Sequence, residues 1–212
     1  AIDLGTLGGP SSTAFSINDA GQVAGSSGTT PVNSPQRAFV WSPESGIRQL
    51  ETPQDSFSLA ASINNLGQAV GITDGEAALW TSSGSLVRLG TLTGNYSSAS
   101  SINDQIQVVG DWYENHPESA QRALLWDSVN GMQDQLALLP SDSGWTHLFN
   151  AEDINDHGEI IGIGQYNGET RAYLMMPIPE PSTLATVAAF GTCTALVAAA
   201  RNLFRAGAKN QR

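Results

Sequence analysis

A ten-residue pattern that recurs four times in the 212-residue chain constrains its fold more than any other feature. The copies centre on Ile17, Ile63, Ile102 and Ile154, so successive copies lie 46, 39 and 52 residues apart. Each copy has Ala three residues before the isoleucine, Asn directly after it and Gly eight residues after it. A repeat kept in register predicts one supersecondary unit used four times.

The first copy and the residues after it predict four short strands. Residues 14–17 are predicted to form the first strand, because their side chains would alternate between two faces. Residues 18–21 contain Asn, Asp and Gly and predict a turn, and residues 22–25 form the second strand. Residues 37–41 are typical of a buried third strand, and residues 47–50 supply a fourth. Later copies repeat these segments, so each unit is predicted to be a four-stranded meander.

Two positions depart from the repeat. Ile106 replaces the turn glycine of the third unit, so that hairpin is expected to turn differently or to carry strain. Met175 stands where the other units have Trp41, Trp80 and Trp126, which are predicted to pack in the core.

The two ends of the repeat region are complementary. Residues 2–9 repeat the sequence of residues 89–94, which close the second unit, whereas the last unit ends near Met176 after three strands. We therefore expect an all-β fold, a small β-propeller of four four-stranded blades. In it residues 2–4 pair beside residues 172–175 and leave no open sheet edge. The alternative is an open array of meanders cut from a longer protein.

The composition changes after Met176, which predicts three segments: a propeller at 1–176, a Pro-rich linker at 177–183, and an apolar helix with a basic tail at 184–212. Residues 184–200 contain no charge, and they are apolar all round rather than along one stripe. This pattern favours a transmembrane-type α-helix over a buried C-terminal helix. By the positive-inside rule its cytoplasmic end is marked by Arg201, Arg205, Lys209 and Arg212.

The charge distribution excludes one class of partner. Residues 1–183 hold five arginines, no lysine and all twenty acidic residues, a net charge of −15. Nucleic acid is therefore not an expected partner, because its binding depends on Lys and Arg. The single Cys193 excludes a disulfide framework and a cysteine metal site. The chain starts at Ala1, as expected of either a mature product or a fragment.

Two families are suggested by these residues. The segments 3–9, 17–19 and 22–25 resemble the HAF family of extracellular repeats, although Arg37 stands where that family has His. The motif Pro179-Glu180-Pro181, the apolar segment and the basic end together resemble the PEP-CTERM sorting signal. These resemblances imply export in a Gram-negative bacterium, an inner-membrane-anchored precursor, handling by an exosortase-type membrane protease, and delivery to the cell surface or extracellular matrix.

No residue pattern predicts catalysis, a cofactor or a metal site. His116, His147 and His157 lie in different connections without metal-ligand spacing. Asp111 with Glu114 or Glu118 would suit a glycosidase, but two acidic residues in one loop are more often only solvated. The repeated Asn-Asp turns do not match a calcium loop, and turn chemistry alone explains them.

Aromatic residues in the variable connections predict a binding face. In an antiparallel meander the variable connections emerge on one side, and repeat proteins usually bind their ligands there. Trp112, Tyr113, Trp145 and Tyr166 lie in these connections. We expect a non-enzymatic surface or matrix protein that recognises an extracellular polysaccharide through exposed aromatic residues. The alternatives are an extracellular glycan-cleaving hydrolase and a purely structural matrix component.

Overall fold

The computed structural model describes residues 1–31, 35–54, 56–94, 96–114 and 121–177. Segment 184–200, the Pro179-Glu180-Pro181 motif and the basic end, including Arg201, Arg205, Lys209 and Arg212, lie outside these residues. Within the described ranges no helix is both long and apolar enough to span a bilayer. The predicted transmembrane-type helix is therefore not a part of the described fold.

The described residues form four antiparallel sheets, numbered here in chain order, and strands pair in chain order within each. Sheet 1 contains β1 (Ser12–Ile17), β2 (Val23–Ser27), β3 (Arg37–Ser42) and β4 (Gly46–Gln49). Sheet 2 contains β5 (Ser58–Ile63), β6 (Ala69–Thr73), β7 (Glu76–Trp80) and β8 (Leu86–Gly90). Sheet 3 contains β9 (Tyr96–Ile102), β10 (Val108–Tyr113), β11 (Arg122–Asp127) and β12 (Gly131–Asp134). Sheet 4 contains β13 (Trp145–Ile154), β14 (Ile160–Tyr166) and β15 (Glu169–Met175).

The predicted meanders are confirmed, and the closed propeller is wrong. Sheet 4 ends at β15 with three strands, and residues 2–4 form no strand and do not pair with it. Gly5 and Gly8 have positive φ angles of 78° and 107°, so the chain turns directly after residues 2–4. The amide of Gly9 then donates to Gly28 O at 2.9 Å, which holds this segment at the end of β2.

An apolar core lies at each of the three junctions between consecutive sheets. Between sheets 1 and 2 it consists of Ala24, Ala38, Val40, Leu50, Ala60, Ile63, Ala69, Ala78 and Trp80. Between sheets 2 and 3 it consists of Val70, Ala77, Leu79, Leu89, Ala99, Ile102 and Val108. Between sheets 3 and 4 it consists of Val109, Ala123, Leu148, Ala151, Ile154, Ile160 and Tyr173. Each repeat isoleucine after the first thus packs on the preceding sheet.

The tryptophans of the third strands differ in burial. Trp80 is fully buried, as expected, and its indole N–H donates to Glu51 O at 2.7 Å. Trp41 and Trp126 are only half-buried. Ile106 makes the same turn as the glycines it replaces, with a φ of 62° and an N–H that donates to Asn103 O at 3.1 Å. Of the two expectations for Ile106, the strained turn is the one observed.

A short link ties sheets 3 and 4. The 3-10 helix Gln135–Leu138 follows β12, and its first side chain, Gln135, is fully buried. The Gln135 amide donates to Leu124 O at 2.8 Å, and the Tyr173 hydroxyl lies 2.9 Å from Gln135 Oε1. Because a buried amide needs partners, this contact helps to fix sheet 4 against sheet 3. Burial raises the pKa of the Tyr173 phenol, which therefore stays neutral.

The repeated glycine is required by a close approach of two strands. A Cβ at Gly25, Gly71, Gly110 or Gly162 would collide with a backbone oxygen of the first strand in the same sheet. In sheets 1 to 3 that first strand carries one register irregularity near this contact. Only glycine leaves room for the passing strand.

We predict that Gly71→Ala lowers the free energy of unfolding by about 1–3 kcal/mol, because the new methyl group meets Leu59 O. Urea unfolding followed by tryptophan fluorescence measures the change. Gly28→Ala is the control, since its Cβ would make only ordinary contacts at 3.4 Å or more. Equal stability of the two variants would contradict this explanation of the repeat glycine.

Candidate binding surfaces

The repeat asparagine organises the turn between the first two strands of every sheet. Asn18 Oδ1 accepts hydrogen bonds from the amides of Ala20 and Gln22 at 3.1 and 2.9 Å. Asn64, Asn103 and Asn155 accept the corresponding pairs. The side chain thus replaces the backbone partners that a strand would supply, as asparagine does in tight turns.

The same asparagine also joins neighbouring sheets. The side-chain amide of Asn18 donates to Asn64 O at 2.9 Å. That of Asn64 donates to Asn103 O at 3.1 Å, and that of Asn103 to Asn155 O at 3.0 Å. Asn18, Asn64 and Asn103 are buried. We call this series the asparagine ladder.

A second row of hydrogen bonds runs beside the ladder. The amide of Asp19 donates to Asn65 Oδ1 at 2.9 Å. The amide of Asn65 donates to Asp104 Oδ1, and that of Asp104 to Asp156 Oδ1, both at 2.8 Å. The residue after each repeat asparagine except the first therefore accepts a bond from the previous sheet. The turn chemistry predicted from the sequence is present, but this second use of the same residues was not foreseen.

The turns together line a cleft of about 260 Å³. Its lining consists of Ile17, Asn18, Asp19, Ile63, Asn64, Asn65, Ile102, Asn103, Asp104, Ile154, Asn155 and Asp156. Within the described part of the chain, no group of three or more His, Cys, Asp or Glu residues is placed to hold a metal ion. The polar atoms of the cleft are engaged mainly in joining the sheets.

The opposite edge of the sheets holds the variable connections and the predicted aromatic residues. Trp112 lies in β10 rather than in a connection, and it is buried, so its expected exposure is wrong. The Arg122 guanidinium lies 5.3 Å from the centroid of its ring and is held by Asp134 at 2.5 Å. Cross-strand pairing of Trp112 with Arg122 places this cover over the indole.

Tyr113 is half-buried and makes an edge-to-face contact with Tyr96, with ring centroids 5.3 Å apart. The two tyrosines are paired across β9 and β10. Burial, with a smaller contribution from the charge of Asp111, raises the pKa of both phenols, which keeps them neutral hydrogen-bonding groups. Tyr96 was not among the predicted residues, because only the strand register shows that it lies beside Tyr113.

Trp145 and Tyr166 form a second aromatic pair on the same edge. They are partners across β13 and β14, and their ring centroids are 5.2 Å apart. The other side of Trp145 meets Tyr173 at 5.8 Å, so Trp145 links the pair to the core. Tyr166 remains 40% exposed. We call Tyr96, Tyr113, Trp145 and Tyr166 the aromatic edge.

The structure describes some of the residues weighed for catalysis. Asp111 is buried in β10, Glu114 follows that strand, and Glu118 lies outside the described residues with His116. His147 Nε2 lies 2.8 Å from Gln121 O, so this histidine is tied to the backbone rather than solvated. His157 sits in the exposed last turn.

We predict that Asn64→Ala lowers the free energy of unfolding by about 1–3 kcal/mol more than Asn155→Ala does. Both changes remove the same turn bonds, but Asn64 also donates across a junction, whereas Asn155 has no following sheet in this structure. Urea unfolding of the two variants gives the difference. Equal losses would show that the ladder adds nothing beyond the turns.

The comparisons with known proteins identify a family without assigning an activity. The family described as "Protein of unknown function (DUF3466)" matches residues 8–176, which include all fifteen strands. No curated protein matches the chain. The match covers most of the chain, and the protein therefore belongs to the DUF3466 family.

Proposed function

We propose that this chain is a non-enzymatic repeat module of an exported protein, and that its aromatic edge binds an extracellular polysaccharide. The observation that supports this most is the Trp145–Tyr166 pair, which combines a ring fixed in the core with a ring 40% exposed. A rigid aromatic platform offers large contact area at little cost in conformational entropy. Of the four residues expected from the sequence, the proposed site keeps Tyr113, Trp145 and Tyr166, and it has Tyr96 instead of the buried Trp112.

Polar side chains also lie on β13 and β14, at the same end of sheet 4. Thr146 and Gln165 lie on the same two strands as the ring pair, and their side chains are 3.1 Å apart at an exposed position. Binding sites for small polar ligands combine apolar area with a few placed hydrogen-bonding groups. Gln165 and Tyr166 are consecutive in β14, so their side chains lie on opposite faces of the sheet. Sugar rings have apolar faces, and the proposed match to them therefore comes from the aromatic rings.

Export is proposed on the resemblance of the sequence alone. The repeats are proposed to be of the HAF type, and the Pro179-Glu180-Pro181 segment to be a sorting motif recognised by an exosortase-type membrane protease. The motif lies outside the described residues, so the support comes from its sequence and from the basic end that follows. Delivery to the cell surface or matrix of a Gram-negative bacterium would place the aromatic edge among polysaccharides.

We predict that Tyr166→Ala weakens polysaccharide binding roughly tenfold, the equivalent of about 1.4 kcal/mol, because the exposed half of the platform is lost. A glycan array identifies the bound sugar, and titration of that sugar gives the affinity. Tyr166→Phe keeps the ring and should retain most of the binding.

The control is Val129→Ala, which removes an exposed apolar side chain from the turn between β11 and β12, on the opposite edge. It should bind as the unsubstituted chain does. If no glycan is bound, or if Tyr166→Ala binds unchanged, the aromatic edge is not a polysaccharide site.

We also predict that the protein recovered from the surface of the producing cells ends near residues 179–181 and lacks Cys193. Cleavage at the Pro-rich segment separates the repeat region from the apolar and basic end. Intact mass spectrometry of the native protein measures the C-terminus. A chain that still ends at Arg212 would rule out the sorting proposal and leave the polysaccharide proposal untouched.

A further inference from the structure

The three junctions between sheets are built to one plan. At each, the repeat isoleucine of the following sheet is buried, with Ile63 and Ile102 at 5% exposure and Ile154 at 6%. Ala24, Val70 or Val109 of the preceding sheet is fully buried, at 1% exposure or less, in the same core. The asparagine ladder crosses the same boundary. A complete junction therefore needs two surfaces. The surface of the following sheet that carries the repeat isoleucine is its start face, and the surface of the preceding sheet that carries Ala24, Val70 or Val109 is its end face.

Sheet 1 presents an unused start face. Ile17 is 68% exposed, whereas its three equivalents are buried. Phe15, two residues earlier in β1, and Ile2 are also exposed. Among the described residues, no hydrogen bond reaches the carboxylate of Asp19, although Asn65, Asp104 and Asp156 each accept one at the same position. We define the start face as Ile2, Phe15, Ile17 and Asp19.

Sheet 4 presents the matching end face. Ile161 is 49% exposed where Ala24, Val70 and Val109 are buried, and its cross-strand partner Leu174 is 60% exposed. Asn155 donates to Glu159 within its own turn, as the other repeat asparagines do to their glutamines, but it lacks their second bond to a following sheet. We define the end face as Asn155, Ile161, Leu174 and the edge of β15 that no described strand pairs with.

The strands at the two ends are also complementary. Within the described ranges, sheet 4 has no fourth strand, whereas sheets 1 to 3 each have one. Residues 2–5 correspond to the end of a fourth strand. Ser12 Oγ donates to Gly5 O at 2.7 Å. In the same way Ser97 Oγ donates at 2.6 Å to the carbonyl oxygen of Gly90, the last residue of β8. Gly5 and Gly90 share φ angles of 78° and 79°. Residues 2–4 thus lead into sheet 1 as β8 leads into sheet 3. β8 pairs with β7, the third strand of sheet 2, whereas residues 2–4 pair with no described strand.

We propose that a second copy of this chain places its start face on the end face of the first, head to tail, and that residues 2–4 of that copy add to the edge of β15. The occupant is a copy of the chain because the two faces are the separated halves of a junction that the chain already contains three times. Every element has a counterpart: an exposed isoleucine for an apolar face, the Asn155 side-chain amide for Asn18 O, the Asp156 backbone amide for the Asp19 carboxylate, and a strand for an open edge. This proposal is independent of the polysaccharide site, which lies on neither face.

The contact is heterologous, since different surfaces of the two copies meet. Such a contact produces a ring if the rotation closes and an open chain of copies if it does not. Both results use the same junction, so both agree with the proposal. Because each copy is strongly acidic, salt reduces their mutual repulsion, and association is best measured at physiological ionic strength and above.

The test uses sedimentation velocity on the full chain and on two variants, Ile17→Asp and Leu174→Asp. We expect the unsubstituted chain to sediment above the monomer mass and each variant alone to be monomeric. An equimolar mixture of the variants should form a dimer and stop there, because one variant keeps its end face and the other its start face. Both substituted side chains are exposed, so each variant should still fold, and its thermal midpoint should fall only by what association adds to the unsubstituted chain.

Val129→Asp is the matched control, since it adds the same charge at an exposed apolar position away from both faces. It should associate as the unsubstituted chain does. A monomeric unsubstituted chain would overturn the proposal. So would association that survives Ile17→Asp, or a mixture of variants that stays monomeric, since either result would place the contact elsewhere.

Discussion

The fold depends on a side-chain amide that must find its partner in the next repeat. Asn64 is buried, and one of its N–H groups bonds to Asn103 O, 39 residues further along the chain. A buried donor without a partner is costly, so this bond forms only if the two sheets stand in one register. That register also brings Ile102 onto the apolar face of sheet 2. Polar and apolar requirements therefore select the same arrangement.

The consequence is an array in which each sheet depends on its neighbours. The three cores are separate, and each is shared by two consecutive sheets. Repeat arrays of this kind gain stability from the sum of their junctions, and their outermost units are the least covered. The contrast between Ile17 and Ile63 follows directly: they are equivalent in sequence, but only the second has a sheet in front of it.

The two edges of the array are under different constraints. The turns of the ladder edge must keep Asn, its acidic or amide neighbour and a tight return, because each turn contacts the next. The opposite edge also has bonds between sheets, since Ser58 Oγ and Ser97 Oγ accept hydrogen bonds from the amides of Ala38 and Ala77, but its connections differ in length from sheet to sheet. Aromatic residues could therefore accumulate there without disturbing the junctions. This freedom is why we place the binding surface on that edge.

The sequence by itself determined the repeat unit, its meander and its turn. The pattern of each unit, the turn that begins with Asn and the glycine at the close approach of two strands all involve residues that are near one another in the chain. It could not determine whether the array closes, since closure depends on the angle between successive sheets, which is set by packing at all three junctions. It also could not separate Trp112 from Tyr166, as both follow a repeat glycine in a variable region. Only the tertiary structure decided which of the two is covered. Trp112 pairs with Arg122 of β11, whose guanidinium covers its ring. Tyr166 lies at the end of the β14–β15 hairpin and faces solvent.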